Sequence, residues 1–293
     1  MLYDQTIALD PDYADAHSGL ARAWFELTVF TTLPLKEALP KVRAEANQAL
    51  ALDPRNVEAL VQLGNADASE GKHAEAKTYF ERALEIDPSN ADAHMDYGTV
   101  LPLKPGLAQF LEAVQLDPDD ASAQNSLAAA ELDLGDYGQA LAPVQALLRL
   151  DPKSADTALG LALTYALLHR DSDAVKAFDL AQPDTPLAKA LAAAGRLTYQ
   201  SILDPKLHAQ ALAAVDALGR RTDLDPFSMA DVLQLKLALG ENNPALKLLA
   251  KFCVAQPTGC NDLSVNPLYV PLRGRPRFEA LVKKYDTVSK PQA

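Results

Sequence analysis

Apolar and polar positions along the 293-residue chain follow a helical period that restarts at a nearly fixed spacing. From Val57 to Asn90, Leu63 and Gly64 fall in a first helical stretch and Gly71 at a turn. Ala76, Phe80 and Ala83 follow in a second stretch that ends at Ile86-Asp87-Pro88. Small Gly64 and Ala76 let two antiparallel helices come close, and Phe80 fills the space beside them. Pro88 lacks an amide proton and stops the outgoing helix, so the next one starts at Ala91. The same order recurs with Leu127-Ala128, Gly135, Ala140, Val144 and Leu147, and again with Leu161-Ala162, Tyr165, Ala174, Phe178 and Ala181. An earlier copy has Leu20-Ala21, Trp24, Val42, Ala46 and Ala49. Leu-Asp-Pro occurs at 9–11, 52–54, 116–118, 150–152, 203–205 and 224–226. Pro54, Pro88, Pro118, Pro152 and Pro186 are then 34, 30, 34 and 34 residues apart.

Two copies depart from that length. Between Trp24 and Val42 about nine extra residues, centred on 31–41, predict longer helices or an extended turn; the Ala91 copy lacks about four, and Pro102 and Pro105 bracket a tight connection. Both changes fall between the helices of a pair, where they disturb neighbouring pairs least. Beyond Pro186 the spacing lapses, although helical periodicity continues through Leu187–Leu197, Lys206–Leu218, Ser228–Leu239 and Pro244–Val254. The expected organisation is all-α, with a repeat array over 1–186 that comprises a half-repeat at 1–11 and repeats at about 14–54, 57–88, 91–118, 121–152 and 155–186. Degenerate helical repeats at 187–255 follow, then an irregular segment with a capping helix and tail at 256–293. Met1 to Ala8 reads as a second helix without its partner, so the sequence is expected to be a fragment or to follow another domain, the other reading being a frayed natural start.

These residues resemble the tetratricopeptide repeat family over roughly residues 1–186. The resemblance implies a right-handed superhelical solenoid of antiparallel helix pairs that binds protein or peptide partners and needs no cofactor. It also implies a concave groove lined by the first helix of each pair. On this sequence the groove candidates are Arg22, Phe25, Asn65, Met95, Asn125, Leu132, Leu159 and Leu163. Asn65 and Asn125 offer side-chain amides suited to a peptide backbone. The family's carboxylate clamp for chaperone C-termini uses Lys, Asn and Arg; only Asn65 and Arg22 match in type, and Asp92 stands where a Lys is wanted, so no clamp is expected. The segment 33–38 and the ending Asn266 to Arg273 with Pro276 to Leu281 also look like the C-terminal arrays of bacterial membrane-bound winged-helix transcriptional activators and class III adenylyl cyclases. That likeness implies a regulatory module of a larger signalling protein, joined to an N-terminal effector and periplasmic. The other reading is a free-standing adaptor, cytoplasmic or periplasmic, that holds a peptide or helix of a partner in its groove.

Charge and chemistry narrow the picture further. With 27 basic and 39 acidic side chains the chain carries −12, which repels phosphate and argues against direct nucleic-acid binding. Residues 272–290 hold a net +4, leaving −16 on the rest. The longest apolar stretch, Thr157 to Leu168, is too short to cross a bilayer. Its apolar residues cover nearly every helix face, which predicts burial on both sides by the chain itself or by a partner. His17, His73, His94, His169 and His208 lack metal-ligand spacing and no phosphate loop is present, so neither catalysis nor metal binding is expected. Asp117-Pro118-Asp119-Asp120 suits turns and helix starts. Cys253 and Cys260 either remain two thiols or form a disulfide whose short loop constrains the unfolded chain by roughly 2.5 kcal/mol; an oxidised pair agrees with the periplasmic setting that the second resemblance implies.

Overall fold

Aspartates punctuate the chain. In each of Asp10, Asp53, Asp87, Asp117, Asp151 and Asp204 the carboxylate Oδ1 accepts the backbone N–H two residues on, at 2.9–3.2 Å. This turn competes with helix continuation, and the proline between the two residues has no N–H to extend the helix, so the acidic residue and the proline stop it together. Side chains also start helices: Asn56, Asn90, Ser154 and Thr185 each accept the N–H of the third residue on, at 2.8–3.1 Å.

The computed structural model describes residues 2–30, 33–222 and 224–286. Met1, Thr31, Thr32, Asp223 and the tail 287–293, with the Lys290 counted above, lie outside them. Among the described residues the chain is all-α: α1 (Leu2–Leu9), α2 (Ala14–Phe30), α3 (Leu35–Leu52), α4 (Val57–Ser69), α5 (His73–Ile86), α6 (Ala91–Val100), α7 (Leu103–Leu116), α8 (Ala121–Leu134), α9 (Tyr137–Leu150), α10 (Ala155–Leu167), α11 (Asp171–Leu180), α12 (Pro186–Leu203), α13 (His208–Gly219), α14 (Pro226–Ala238), α15 (Asn242–Ala255) and α16 (Pro276–Tyr285). Short 3-10 turns at 205–207, 257–260 and 267–272 complete the chain. The extra residues near Thr31 lengthen both helices of their pair, to 17 and 18 residues, whereas the short copy loses length from α6, which has 10.

Helices form two compact units, 1–130 and 131–293. In the first, α2 pairs with α3, α4 with α5 and α6 with α7, and the first helices α2, α4 and α6 lie side by side. Aromatic rings set the spacing. A Cβ built on Gly64 would sit 2.6 Å from the Phe80 ring, and the same clash would arise at Gly19 with Tyr3 and at Gly98 with Phe110. Phe80 has no exposed surface and packs with Leu60, Val61, Ala76, Ala83 and Ala93.

The second unit repeats the device, with Phe178 against Gly195 on α12. Its pairs turn through a left-handed residue, Gly135 before α9 (φ 82°) and Gly240 before α15 (φ 76°), as Gly71 (φ 75°) does in the first unit. Gly240 lies where the 34-residue spacing has lapsed, so α14 and α15 keep the turn of a regular pair. His169 occupies the corresponding place before α11 at φ 57°. The helix α10 is covered by α12 and α14, which explains its apolar circumference. The last core joins α14, α15 and α16 through Leu233, Leu249, Phe252, Leu263, Leu272 and Phe278, and the Cys253–Cys260 disulfide is buried within it.

Two stability tests follow from these contacts. Gly64→Ala forces the Phe80 ring aside and should cost about 1–3 kcal/mol in chemical denaturation, whereas Gly160→Ala, on α10 with nothing within 4 Å of the new methyl, should gain about 0.5–1 kcal/mol. Replacing Cys253 and Cys260 together by Ala releases the closed loop and should lower stability by about 2–3 kcal/mol, read as a fall in Tm.

Candidate interaction groove

The first helices of unit one leave a groove between them. Arg22, Phe25 and Glu26 from α2, Val61, Gln62 and Asn65 from α4, and Asp92, Met95 and Asp96 from α6 line it; Asp117, Asp119, Asp120, Ala121 and Ser122 close one end. Its volume is about 510 Å³. Residues on α2 and α6 reach it because i and i+4 share a helix face, so Arg22 brings Glu26 and Asp92 brings Asp96.

Six carboxylates against one guanidinium make this groove acidic. The single cation is already committed: Arg22 Nε donates to Glu26 at 2.9 Å, Nη1 donates to Asp92 at 3.0 Å, and Glu58 lies 3.6 Å away. Asn65 Nδ2 donates to Asp96 at 2.6 Å. Burial raises the Asp96 pKa to about 7, the Asn65 hydrogen bond opposes that shift, and the charges of Asp92 and Glu58 add to it. Burial likewise raises Glu58. Near neutral pH the groove therefore holds one carboxyl close to half-protonated, a charge that an incoming cation would draw out.

Models of the tetratricopeptide repeat match residues 57–90, 106–155 and 130–189. The chain carries tetratricopeptide repeats. A stretch of 103 residues is 34% identical to the Hsp70-Hsp90 organizing protein of Triticum aestivum, covering 34% of this chain and 18% of that protein. The matched part thus spans less than a fifth of that relative. Among solved structures, a tetratricopeptide repeat protein from Parabacteroides merdae superposes with a TM-score of 0.54 at 16% identity, over 91% of this chain and 97% of that one. PilF of Pseudomonas aeruginosa does so with 0.55 at 18%, over 74% and 95%. At these identities the structures speak for the fold alone. The tetratricopeptide array is a protein-interaction module.

The groove brings together Arg22, Phe25, Asn65 and Met95 of the residues expected there. Asn125 is exposed on α8 and does not line it. Leu132 and Leu163, in the second unit, are half-buried. Leu159 is corrected: it has no exposed surface, because α12 and α14 lie over α10 and Gln234 Nε2 donates to its carbonyl at 2.9 Å. Sequence reasoning missed Glu26 and Asp96, each four residues beyond an expected groove residue, and read Asp117, Asp119 and Asp120 only as turn formers. They are also that: Asp117 and Asp120 accept N–H groups of Asp119 and Ser122 at 3.0 and 2.8 Å. Among the described residues no cluster of His, Cys, Asp and Glu is placed to hold a metal ion, and no helix is long and apolar enough to cross a membrane.

The second unit carries two more acids raised by burial. Burial raises Asp231 to about 8, with Asp156 and Asp225 adding, and Asp231 Oδ2 is buried without a hydrogen bond; burial with Asp262 raises Asp133 to about 7. A carboxyl whose folded pKa lies above its unfolded value binds its proton more tightly when folded. Its stabilisation is full below about pH 4 and is lost as pH rises through about 7–8. Carboxylates lowered by partners, such as Asp216 beside Lys236, act oppositely at the acid end. Tm should therefore rise as pH falls from 8 to about 5, and Asp96→Asn with Asp231→Asn should flatten that slope.

Proposed function

We infer that the groove of the first unit binds an extended, cationic segment of a partner protein. The observation that carries this reading is the charge: six carboxylates line the groove and its one arginine is paired with acids inside the array. Phe25, Val61 and Met95 offer apolar contact between them, so the favoured ligand alternates Lys or Arg with apolar side chains. A carboxylate clamp has no support, since Arg22 and Asn65 spend their donors on Glu26, Asp92 and Asp96. The likeness to the Hsp70-Hsp90 organizing protein supports protein binding, while the charge here selects another ligand chemistry.

A second reading concerns setting. The Cys253–Cys260 disulfide suits an oxidising compartment. It favours a periplasmic over a cytoplasmic setting, for a regulatory array and for a free-standing adaptor alike.

The groove is tested by fluorescence anisotropy with a labelled peptide that alternates Lys and Leu. Binding should weaken about tenfold in Asp92→Asn with Asp96→Asn and fall with added salt. Because a bound cation favours ionised Asp96, affinity should increase from pH 6 to pH 8 in the parent chain and stay nearly flat in Asp96→Asn. Equal affinity of parent and double variant would falsify the reading.

A further inference from the structure

A second concavity lies in the other unit and has the opposite charge. It opens between α15 and α16 with a volume of about 1010 Å³. Leu246, Ala250, Ala280 and Leu281 form an apolar floor, flanked by Lys247, Lys251, Arg275 and Arg277, and no carboxylate lines it. Arg275 is held, its Nη1 donating to Asn243 Oδ1 at 3.2 Å and its Nε to the Pro271 carbonyl at 3.4 Å. Lys247, Lys251 and Arg277 are exposed and have no acidic partner among the described residues. The nearby Glu279 is occupied, accepting the Gly274 N–H at 2.8 Å.

We propose that this cleft is a docking site for an acidic amphipathic helix of a partner protein, distinct from the groove that takes a cationic segment. Charge complementarity selects the sign. Unpaired cations around an apolar floor in a chain of net −12 mark a local anion-seeking patch, and the remaining acidic surface disfavours an extended polyanion. Geometry selects the helix. Lys247 and Lys251 stand one turn apart on α15, parallel to Leu246 and Ala250, so a third helix laid along α15 can present apolar residues to the floor and carboxylates at i, i+4 to the lysines. Ala250 and Ala280 are small and leave room for the larger side chains of that helix. Residues 287–293 contain a lysine and no acidic side chain, so they do not supply the required charge.

The test uses the full chain and two labelled synthetic helices of equal length, with Leu along one face and either Glu or Gln along both flanks. The Glu helix should bind at least about tenfold more tightly than the Gln helix, and this preference should vanish with salt. Lys251→Glu with Arg277→Glu should abolish the preference, and Ala280→Trp, which fills the floor, should weaken both helices. Lys251, Arg277 and Ala280 are all exposed, and unchanged far-UV circular dichroism controls for folding. Asp92→Asn with Asp96→Asn should leave the Glu helix bound as before, which separates this site from the groove in the first unit. The proposal is overturned if both helices bind alike or if the charge reversal changes nothing. It is also overturned if the charge reversal dissociates a dimer of this chain seen in sedimentation, or if phosphatidylglycerol vesicles bind through these residues while the Glu helix does not.

Discussion

The array depends on an aromatic ring pressed against a glycine backbone. Where Phe80 meets Gly64, Phe110 meets Gly98 and Phe178 meets Gly195, no methyl group could stand between the ring and the helix. Interiors are packed to crystal-like density, so such a contact sets the distance between helices within narrow limits. Phe80 and Phe110 set the spacing within the pairs α4–α5 and α6–α7, whereas Tyr3 on Gly19 and Phe178 on Gly195 set it between successive pairs. The first helices α2, α4 and α6 lie side by side.

One packing rule nevertheless has two outcomes. In the first unit the first helices carry Arg22, Glu26, Asp92 and Asp96 on their shared face, and charged side chains resist burial, so the groove stays open to solvent. In the second unit the equivalent face of α10 carries the fully buried Leu159, and α12 and α14 close over it. Burial of that face removes hydrocarbon from water, whereas closing the first groove would strip water from six carboxylates with one guanidinium to balance them. The raised pKa of Asp96 records part of that cost even in the open groove. Opposite charge then appears in the second unit at the cleft between α15 and α16, where the floor is apolar and the rim cationic.

Legibility of the fold and of the groove differed for a physical reason. Five of the six Leu-Asp-Pro triplets announced helix ends, because the aspartate turn and the missing proline N–H are local events complete within three residues; the sixth, 224–226, opens α14 instead. Arg22, Phe25, Asn65 and Met95 were legible through the family resemblance, which implies which positions of each first helix face the groove. Asp96 belongs to that same face, one turn beyond Asp92, and the i, i+4 relation could have found it. Leu159 could not be placed so simply: helix periodicity shows that an apolar face must be covered, and nothing local says whether a partner or the chain's own α12 and α14 will cover it.

The sequence by itself determined the helices, their pairing and the residues too small to keep rings at a distance, since hydrogen-bond chemistry and side-chain size act between near neighbours. Only the tertiary structure decided which shared face became a groove and which became core. It also decided that Arg22 would be consumed by Glu26 and Asp92, and that Cys253 and Cys260 would meet as a buried disulfide. Those outcomes rest on approaches between separate helices and turns, whose energies depend on burial and on the balance of charge, and neither quantity exists until the helices have packed.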